Sequence, residues 1–352
     1  MRKFSEFVST GHPDKTADAI VCALLDEYIR RDRLARVALE CQVKDNFVTL
    51  GGEVTTTAPL SEFDIERVVT HAIADIGYTP EYARKWGDGN TLDAGNIHVL
   101  AHIGSQSPDI AQGVNADGWG DQGVFCGMAT GGSDTGFMPL DYYLARKLGE
   151  ELYEAAKSGA FDIGLDIKTQ IVTDGEKVVK AIVAAPMIGD ADKIEWTRKQ
   201  VAAKVAEITC FTNPIINGTG AYVRHASMGD CGTTGRKLAV DFYGLNSPIG
   251  GGCPWGKDPS KADVSLNNYA RMKALEMLEK TGRETVFCKI ECCIGRKDIT
   301  ITYTDEHNEL IAECEENRPA PEIIEELGLY APVFAWKNAH GLFALPYARL
   351  GK

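Results

Sequence analysis

One supersecondary pattern recurs three times along the chain, and it limits the fold more than any other feature of the sequence. From Asp14 to Asp32, the apolar residues Ala17, Ile20, Val21, Leu24, Leu25 and Tyr28 return at helical spacing. Two strand-like runs, RVALECQV and NFVTLGGEVTTT, follow and meet around Asp45-Asn46. EFDIERVVTHAIADIG then reads as a second helix. The same order, helix then hairpin then helix, returns in MPLDYYLARKLGEELYEAAK, in LDIKTQIVTDGEKVVKAIVAA with a turn at Asp174-Gly175, and in DADKIEWTRKQVAAKVAEI. It returns again in DVSLNNYARMKALEMLEKTG, VFCKIECCIGRKDITITYTDEHNELIAE and APEIIEELGL. The units start about 120 residues apart, too far for a solenoid repeat. Each hairpin has one face to bury on helices. The expected fold is therefore α+β, with three similar α/β-sandwich-like domains whose sheets pack around a shared axis. The expected boundaries are 1–105 for an N-terminal domain, 106–118 for a mobile loop, 119–226 for a central domain and 227–352 for a C-terminal domain.

Charge and cysteine usage narrow the partners. The 352 residues carry a formal net charge of −13, so neither nucleic acid nor an anionic membrane is an expected partner. MRKFSEF leads into no apolar stretch, and no apolar run approaches the ~18 residues of a membrane span. The ten cysteines show no zinc-ligand spacing and suit free thiols in a reducing, cytoplasmic setting. His98 and His102 are four apart, but strand periodicity describes NIHVLAHIG better than a helix does, and the Glu of a zinc-binding H-E-x-x-H is missing.

The segments between the units hold the candidate chemistry. STGHPDK, GSQSPDIAQGVNADGWGDQG, MGDCGTTGRK and GGCPWGKDPSK are rich in Gly and charge, and such loops offer backbone N–H groups and carboxylates to ligands. Arg236 and Lys237 follow Thr-Gly, while Lys257 and Lys261 lie in GKDPSK. Glycine allows close backbone approach, and Arg forks onto phosphate oxygens. Asp14, Asp121, Asp230 and Asp263 lie near these bases, a combination that Mg²⁺-polyphosphate sites use. For Asp14 and Asp263, helix N-terminal capping is an equally available role. GGCPWGK fits most of a P-loop, but Asp258-Pro259 stands where Ser or Thr would reach magnesium, and LAVDFYG reads as a strand separated from the loop by LNSPI. The loop is expected to hold phosphate, though not as a P-loop.

Together these segments resemble the methionine adenosyltransferase (S-adenosylmethionine synthetase) family. GHPDKTADAI looks like its N-terminal signature, GDQGVFCGMAT its second, MGDCGTTGRK its third and GGGCPWGKDPSKAD its glycine-rich phosphate loop. GGEVTTTA and IGSQSPDIAQGV match two further segments, and the likeness can be followed to about residue 272. The resemblance implies three domains about a pseudo-threefold axis, and a homodimer or dimer of dimers with active sites between subunits. It implies ATP and L-methionine as substrates, two Mg²⁺ per site and K⁺. Sulfur would attack C5′ and release triphosphate, which is then hydrolysed to pyrophosphate and phosphate.

By the same resemblance, His12, Lys168, Arg236 and Lys237 are catalytic. Asp166, Tyr222, Asp230, Cys253 and Lys257 join them around ATP. Glu53, Gln106, Asp121, Asp230 and Lys261 match the methionine pocket, with Gln106–Val114 as a gating lid. Asp14 and Asp263 match the Mg²⁺ ligands, and Glu40 the K⁺ ligand. The chain departs from the family pattern in Ser-Thr-Gly-His for Ser-Glu-Gly-His, Ala221-Tyr222 for Arg-Phe, CPW for Ala-Phe-Ser, and a short, divergent C-terminal part.

Overall fold

The computed structural model describes residues 2–105 and 118–344. Gln106 and nearly all of the expected 106–118 loop therefore lie outside the described residues. Each expected helix is present, as are the first two expected hairpins. Helices α1 (Pro13–Arg31), α2 (Glu62–Ile76), α3 (Pro80–Trp86), α4 (Leu140–Lys157), α5 (Ala191–Thr209), α6 (Ala226–Gly229), α7 (Leu238–Asp241), α8 (Ala262–Thr281), α9 (Ala320–Glu326) and α10 (Phe334–His340) alternate with twelve strands. Local chemistry sets their starts. Pro13 occupies the first position of α1, where its missing N–H costs nothing. Ser61 and Asp64 form a reciprocal capping box on α2.

The strands are β1 (Arg2–Val8), β2 (Arg36–Lys44), β3 (Phe47–Thr55), β4 (His98–Gly104), β5 (Gly123–Thr130), β6 (Lys168–Asp174), β7 (Lys177–Ala184), β8 (Ile215–Ile216), β9 (Gly232–Thr233), β10 (Thr285–Cys292), β11 (Asp298–Thr304) and β12 (Leu310–Asn317). They form three four-stranded sheets, ordered β4-β3-β2-β9, β1-β6-β7-β8 and β12-β11-β10-β5. Each sheet is built on one of the three hairpins, but its edge strand comes from elsewhere in the chain. β1 pairs antiparallel with β6, β5 with β10, and β9 with β2. The strand ahead of each long helix α1, α4 and α8 thus joins the hairpin of the next unit in cyclic order.

The three sheets are not identical. β4 and β8 run parallel to β3 and β7, a pairing that needs a crossover, and α2 and α5 supply it. The third segment, read as a hairpin, is an antiparallel meander of three strands, with β12 following β11 through a turn at Asp305–Asn308. Side chains from all three sheets and their helices join one continuous apolar core. Backbone contact is close where a sheet meets its helix. A Cβ on Gly127 of β5 would lie 2.2 Å from the Ala270 carbonyl oxygen of α8, so no larger residue fits there.

Two local expectations change. His98 and His102 do lie on a strand. LAVDFYG does not; Leu238–Asp241 is the short helix α7, whose Asp241 N–H donates to the Lys237 carbonyl at 2.9 Å. The segment is a short apolar run, which reads equally as a strand or a buried helix, and Val240 to Tyr243 are all buried, Asp241 included. Among the described residues no helix is long and apolar enough to cross a membrane.

Candidate active site

The first cluster forms where the turn before α1 meets the strand β6. Ser9 locks the two together: its N–H donates to the Ile167 carbonyl at 2.9 Å, and its hydroxyl donates to the Leu165 carbonyl at 2.6 Å. A Cβ on Gly11 would sit 2.3 Å from the Leu165 oxygen, so glycine is required for this approach. His12 and Asp14 are thereby held beside Asp166 and Lys168, and Lys168 pairs with Val8 at the end of the β1–β6 ladder.

His12 is the N-cap of α1, and its Nδ1 accepts from the Asp14 N–H at 3.1 Å. Its pKa is lowered to about 3, first by burial and then by the positive charges of Lys168 and Lys237, with Asp14 opposing. The ring is therefore neutral near pH 7. With Nδ1 accepting, Nε2 carries the proton and serves as a donor.

The Thr-Gly-Arg-Lys loop closes this cluster. Asp14 is 1% exposed, accepts from the Thr233 N–H at 2.9 Å and is ion-paired with Lys237; Arg236 Nε lies 3.7 Å from its Oδ1. Burial alone would raise the Asp14 carboxyl, but the hydrogen bonds and charge of Lys237, with the Thr233 N–H, hold it below its ordinary value. Asp166 accepts from the Ala226 N–H at 3.1 Å, while burial lifts it to about 6 against the pull of Lys168. Tyr222 is partly buried beside it, its phenol pushed up by burial and by Asp166. Asp230 is exposed at the end of α6 and accepts from the Cys231 N–H at 2.9 Å.

The second cluster is built by the glycine-rich lysine loop lying along β2. Leu39 N–H donates to the Gly256 carbonyl, and Asp258 N–H to the Val37 carbonyl, each at 2.9 Å. Asp258, which stands where a P-loop has its hydroxyl, is a structural carboxylate that accepts from the N–H groups of Val37 at 2.9 Å and Ser260 at 3.0 Å. Lys257 ion-pairs with Asp263, whose other oxygen accepts from the Gly252 N–H at 2.6 Å. Lys257 also bridges to Ala38, which faces Glu53 across the β2–β3 ladder. Glu40 lies two residues further on the same outer face, and both glutamates are exposed. The Asp121 carbonyl accepts from Cys292 Sγ at 3.4 Å. Burial, then Asp121 and Asp263, lifts the Cys292 thiol to about 12, so all three share one neighbourhood. Lys261 is the N-cap position of α8, without a side-chain capping bond.

Strand β2 joins the clusters. Lys257 meets it at Ala38 and Thr233 at Gln42, about 13 Å apart at the usual strand rise, with Glu40 between them. Cys253 packs on the Thr-Gly-Arg-Lys loop, so close that a Cβ on Gly235 would lie 2.8 Å from its Sγ. A cavity of about 1550 Å³ between α4, α8 and α10 touches none of the expected site residues among those described. The charged clusters, rather than that cavity, carry the candidate chemistry.

Several buried residues beside the site were not singled out as site residues in the sequence. His225 is 1% exposed, contacts Tyr82 Oη at 2.8 Å through Nε2, and has its pKa pushed down to about 4 by burial. Lys15, Asp18, Asp241 and Trp255 form a buried polar group directly behind the basic loops.

The chain is similar to known proteins along most of its length. Residues 2–108 match the S-adenosylmethionine synthetase N-terminal domain, and residues 225–348 its C-terminal domain. An S-adenosylmethionine synthase of Brachyspira hyodysenteriae is 32% identical, over 96% of this chain and 92% of the relative. A solved structure described as an unusual S-adenosylmethionine synthetase from Campylobacter jejuni superposes with a TM-score of 0.87 at 29% identity, covering 97% of this chain and 94% of that one. With the three-sheet fold and the clustered signature loops, these likenesses place the chain in the S-adenosylmethionine synthetase family.

Proposed function

We propose that this chain makes S-adenosylmethionine from ATP and L-methionine. The observation that carries the reading is the buried junction where His12 and Asp14 meet Arg236 and Lys237, beside Lys168. A thioether is a neutral, modest nucleophile, so the reaction depends on alignment and on a stabilised leaving group. The sulfur lone pair forms a bond to ribose C5′ as the C5′–O5′ bond breaks, and that electron pair leaves with triphosphate. The neutral His12, with its proton on Nε2, donates to the oxygen that gains charge. Lys168, Arg236, Lys237 and Lys257 hold phosphate oxygens; Tyr222, Asp166, Asp230 and Cys253 surround the nucleoside. Glu53, Asp121, Asp230 and Lys261, with Gln106 outside the described residues, take methionine. Water then cleaves triphosphate to pyrophosphate and phosphate.

The donor set suits Mg²⁺ that arrives with the nucleotide. Asp14 and Asp263 are single carboxylates in the first turns of α1 and α8, and among the described residues no cluster of three ligands stands ready for a metal. Magnesium is commonly held by one or two carboxylates together with substrate phosphates. Two Mg²⁺ would supply charge neutralisation of the triphosphate, and Glu40 would hold K⁺. Each aspartate now paired with a lysine would exchange that partner as phosphate draws the lysine away.

A second copy of the chain is the proposed partner. Glu40 and Glu53 stand on the outer face of sheet β4-β3-β2-β9, beside Phe47 at 61% and Leu100 at 55% exposure. Covering this face would enclose the methionine side of the site. The free cysteines suit a reducing cytoplasm. Incubation with ATP, L-methionine, Mg²⁺ and K⁺ is expected to yield S-adenosylmethionine, pyrophosphate and phosphate. ADP as the product would indicate a kinase and overturn the reading.

A further inference from the structure

Behind the two basic loops lies a buried polar hub that neither phosphate contact nor helix formation explains. Lys15 Nζ lies 2.6 Å from Asp241 Oδ1 and 3.0 Å from Asp18 Oδ2. Asp18 Oδ1 accepts from the Gly235 N–H at 2.9 Å, and Asp241 Oδ2 accepts from Trp255 Nε1 at 2.7 Å. Lys15 Nζ also sits 4.4 Å from the centre of the Trp255 ring. All four side chains are at most 7% exposed.

These anchor points are placed to control geometry. Gly235 immediately precedes Arg236 and Lys237, and Asp241 closes the short helix α7 that follows them. The basic pair is thus suspended between two positions fixed to the same lysine. Trp255 stands two residues before Lys257 and ties the other loop to that hub. We propose that Trp255, through Asp241, Lys15 and Asp18, is a positioning residue that sets the separation of the two basic loops for one triphosphate chain. The indole N–H is the only polar handle of Trp, so a ring that lacked it would keep most of the packing and lose the link. A buried hydrogen bond to a charged acceptor is among the stronger kinds, so its loss should reach the ligand.

The inference rests on the proposed reaction, and the experiment separates the two. Inorganic triphosphate binding is measured by calorimetry in the presence of Mg²⁺, alongside steady-state kinetics, for wild type and Trp255→Phe. The expected result is about tenfold weaker triphosphate binding and about tenfold lower kcat/KM for ATP, with KM for methionine within about twofold and circular dichroism unchanged. Asp241→Asn should weaken binding similarly, and the double variant should be little worse than either single one, since both break one link. Wild-type affinity in Trp255→Phe, or fully additive losses in the double variant, would overturn the inference. Equal losses toward both substrates would point to general destabilisation and overturn it as well. Failure of the wild type to form S-adenosylmethionine would count instead against the proposed reaction.

Discussion

Two lysine–aspartate pairs serve the candidate site, and they stand in very different surroundings. Asp14 is 1% exposed and has Lys237, the Thr233 N–H and the Arg236 guanidinium around it. Asp263 has a side chain 14% exposed, with Lys257 and the Gly252 N–H as partners, in a loop lying along one sheet. The first pair is enclosed by three segments distant in sequence; the second is built largely by residues within one loop and the start of α8. A carboxylate enclosed in this way is part of the fold, whereas one at the rim is available mainly to ligands. Loss of the first should therefore cost structure and activity together, and loss of the second should cost activity alone.

The largest expected effect tests whether charge near the enclosed pair acts on the reaction without supporting the fold. Lys168 is exposed, so Lys168→Met should slow S-adenosylmethionine formation by about 10²–10³-fold while leaving the far-ultraviolet circular dichroism intact. Near-normal turnover, measured as initial rate at saturating substrates, would remove Lys168 from the mechanism. Asp14→Ala comes next. It leaves Lys237 and the Thr233 N–H without their acceptor, and should lower unfolding stability by about 3 kcal/mol or more in a urea titration. The same change at Asp263 should lower stability by less than about 1 kcal/mol while still reducing activity in Mg²⁺. Equal destabilisation by the two would erase the contrast.

A smaller effect concerns acid. His225 supports the enclosed region through Tyr82, and its pKa is about 4 in the folded chain against 6.5 unfolded. Between those values the unfolded chain binds the extra proton. This histidine's contribution is therefore present above about pH 6.5 and is lost as pH falls toward 4. His225→Gln should show a shallower loss of stability than wild type across that interval, compared as midpoints of urea unfolding at successive pH values. The smallest expected effect is at Gly252, where a Cβ would lie 2.9 Å from Asp263 Oδ2. Gly252→Ala should shift the loop enough to raise KM for ATP a few-fold, with thermal stability close to wild type.

The elements most legible in the sequence were those with local causes. The helices carried apolar spacing, and Asp174-Gly175 marked a turn that the structure has between β6 and β7. The exchanged edge strands were not read, because β1, β5 and β9 find their partners far along the chain and β9 is two residues long. The site shows the same division. Arg236, Lys237, Lys257 and the nearby aspartates stood out because they lie in glycine-rich loops, and the family signatures ordered them. Lys15 and Asp18 looked like ordinary charges on a helix and Asp241 like one on a strand, since only the packing of α1 against α7 and Trp255 buries them. Trp255 was visible as a departure from the family pattern, but its partner was not, because Asp241 lay in a segment read as a strand.

The exchange of edge strands also bears on how the chain is made. The seven residues of β1 leave the ribosome well before their partner β6, which ends at Asp174. At roughly 5–20 residues per second, β1 waits about 10–30 s with its hydrogen-bonding groups unmatched. The hairpin of the first unit waits longer, until β9 at residues 232–233 is synthesised. The sheet of the first unit, β4-β3-β2-β9, stays incomplete until the third unit is being translated. The nascent chain is exposed to mispairing until its later segments arrive, and a ribosome stalled midway would leave a fragment with an unfilled edge.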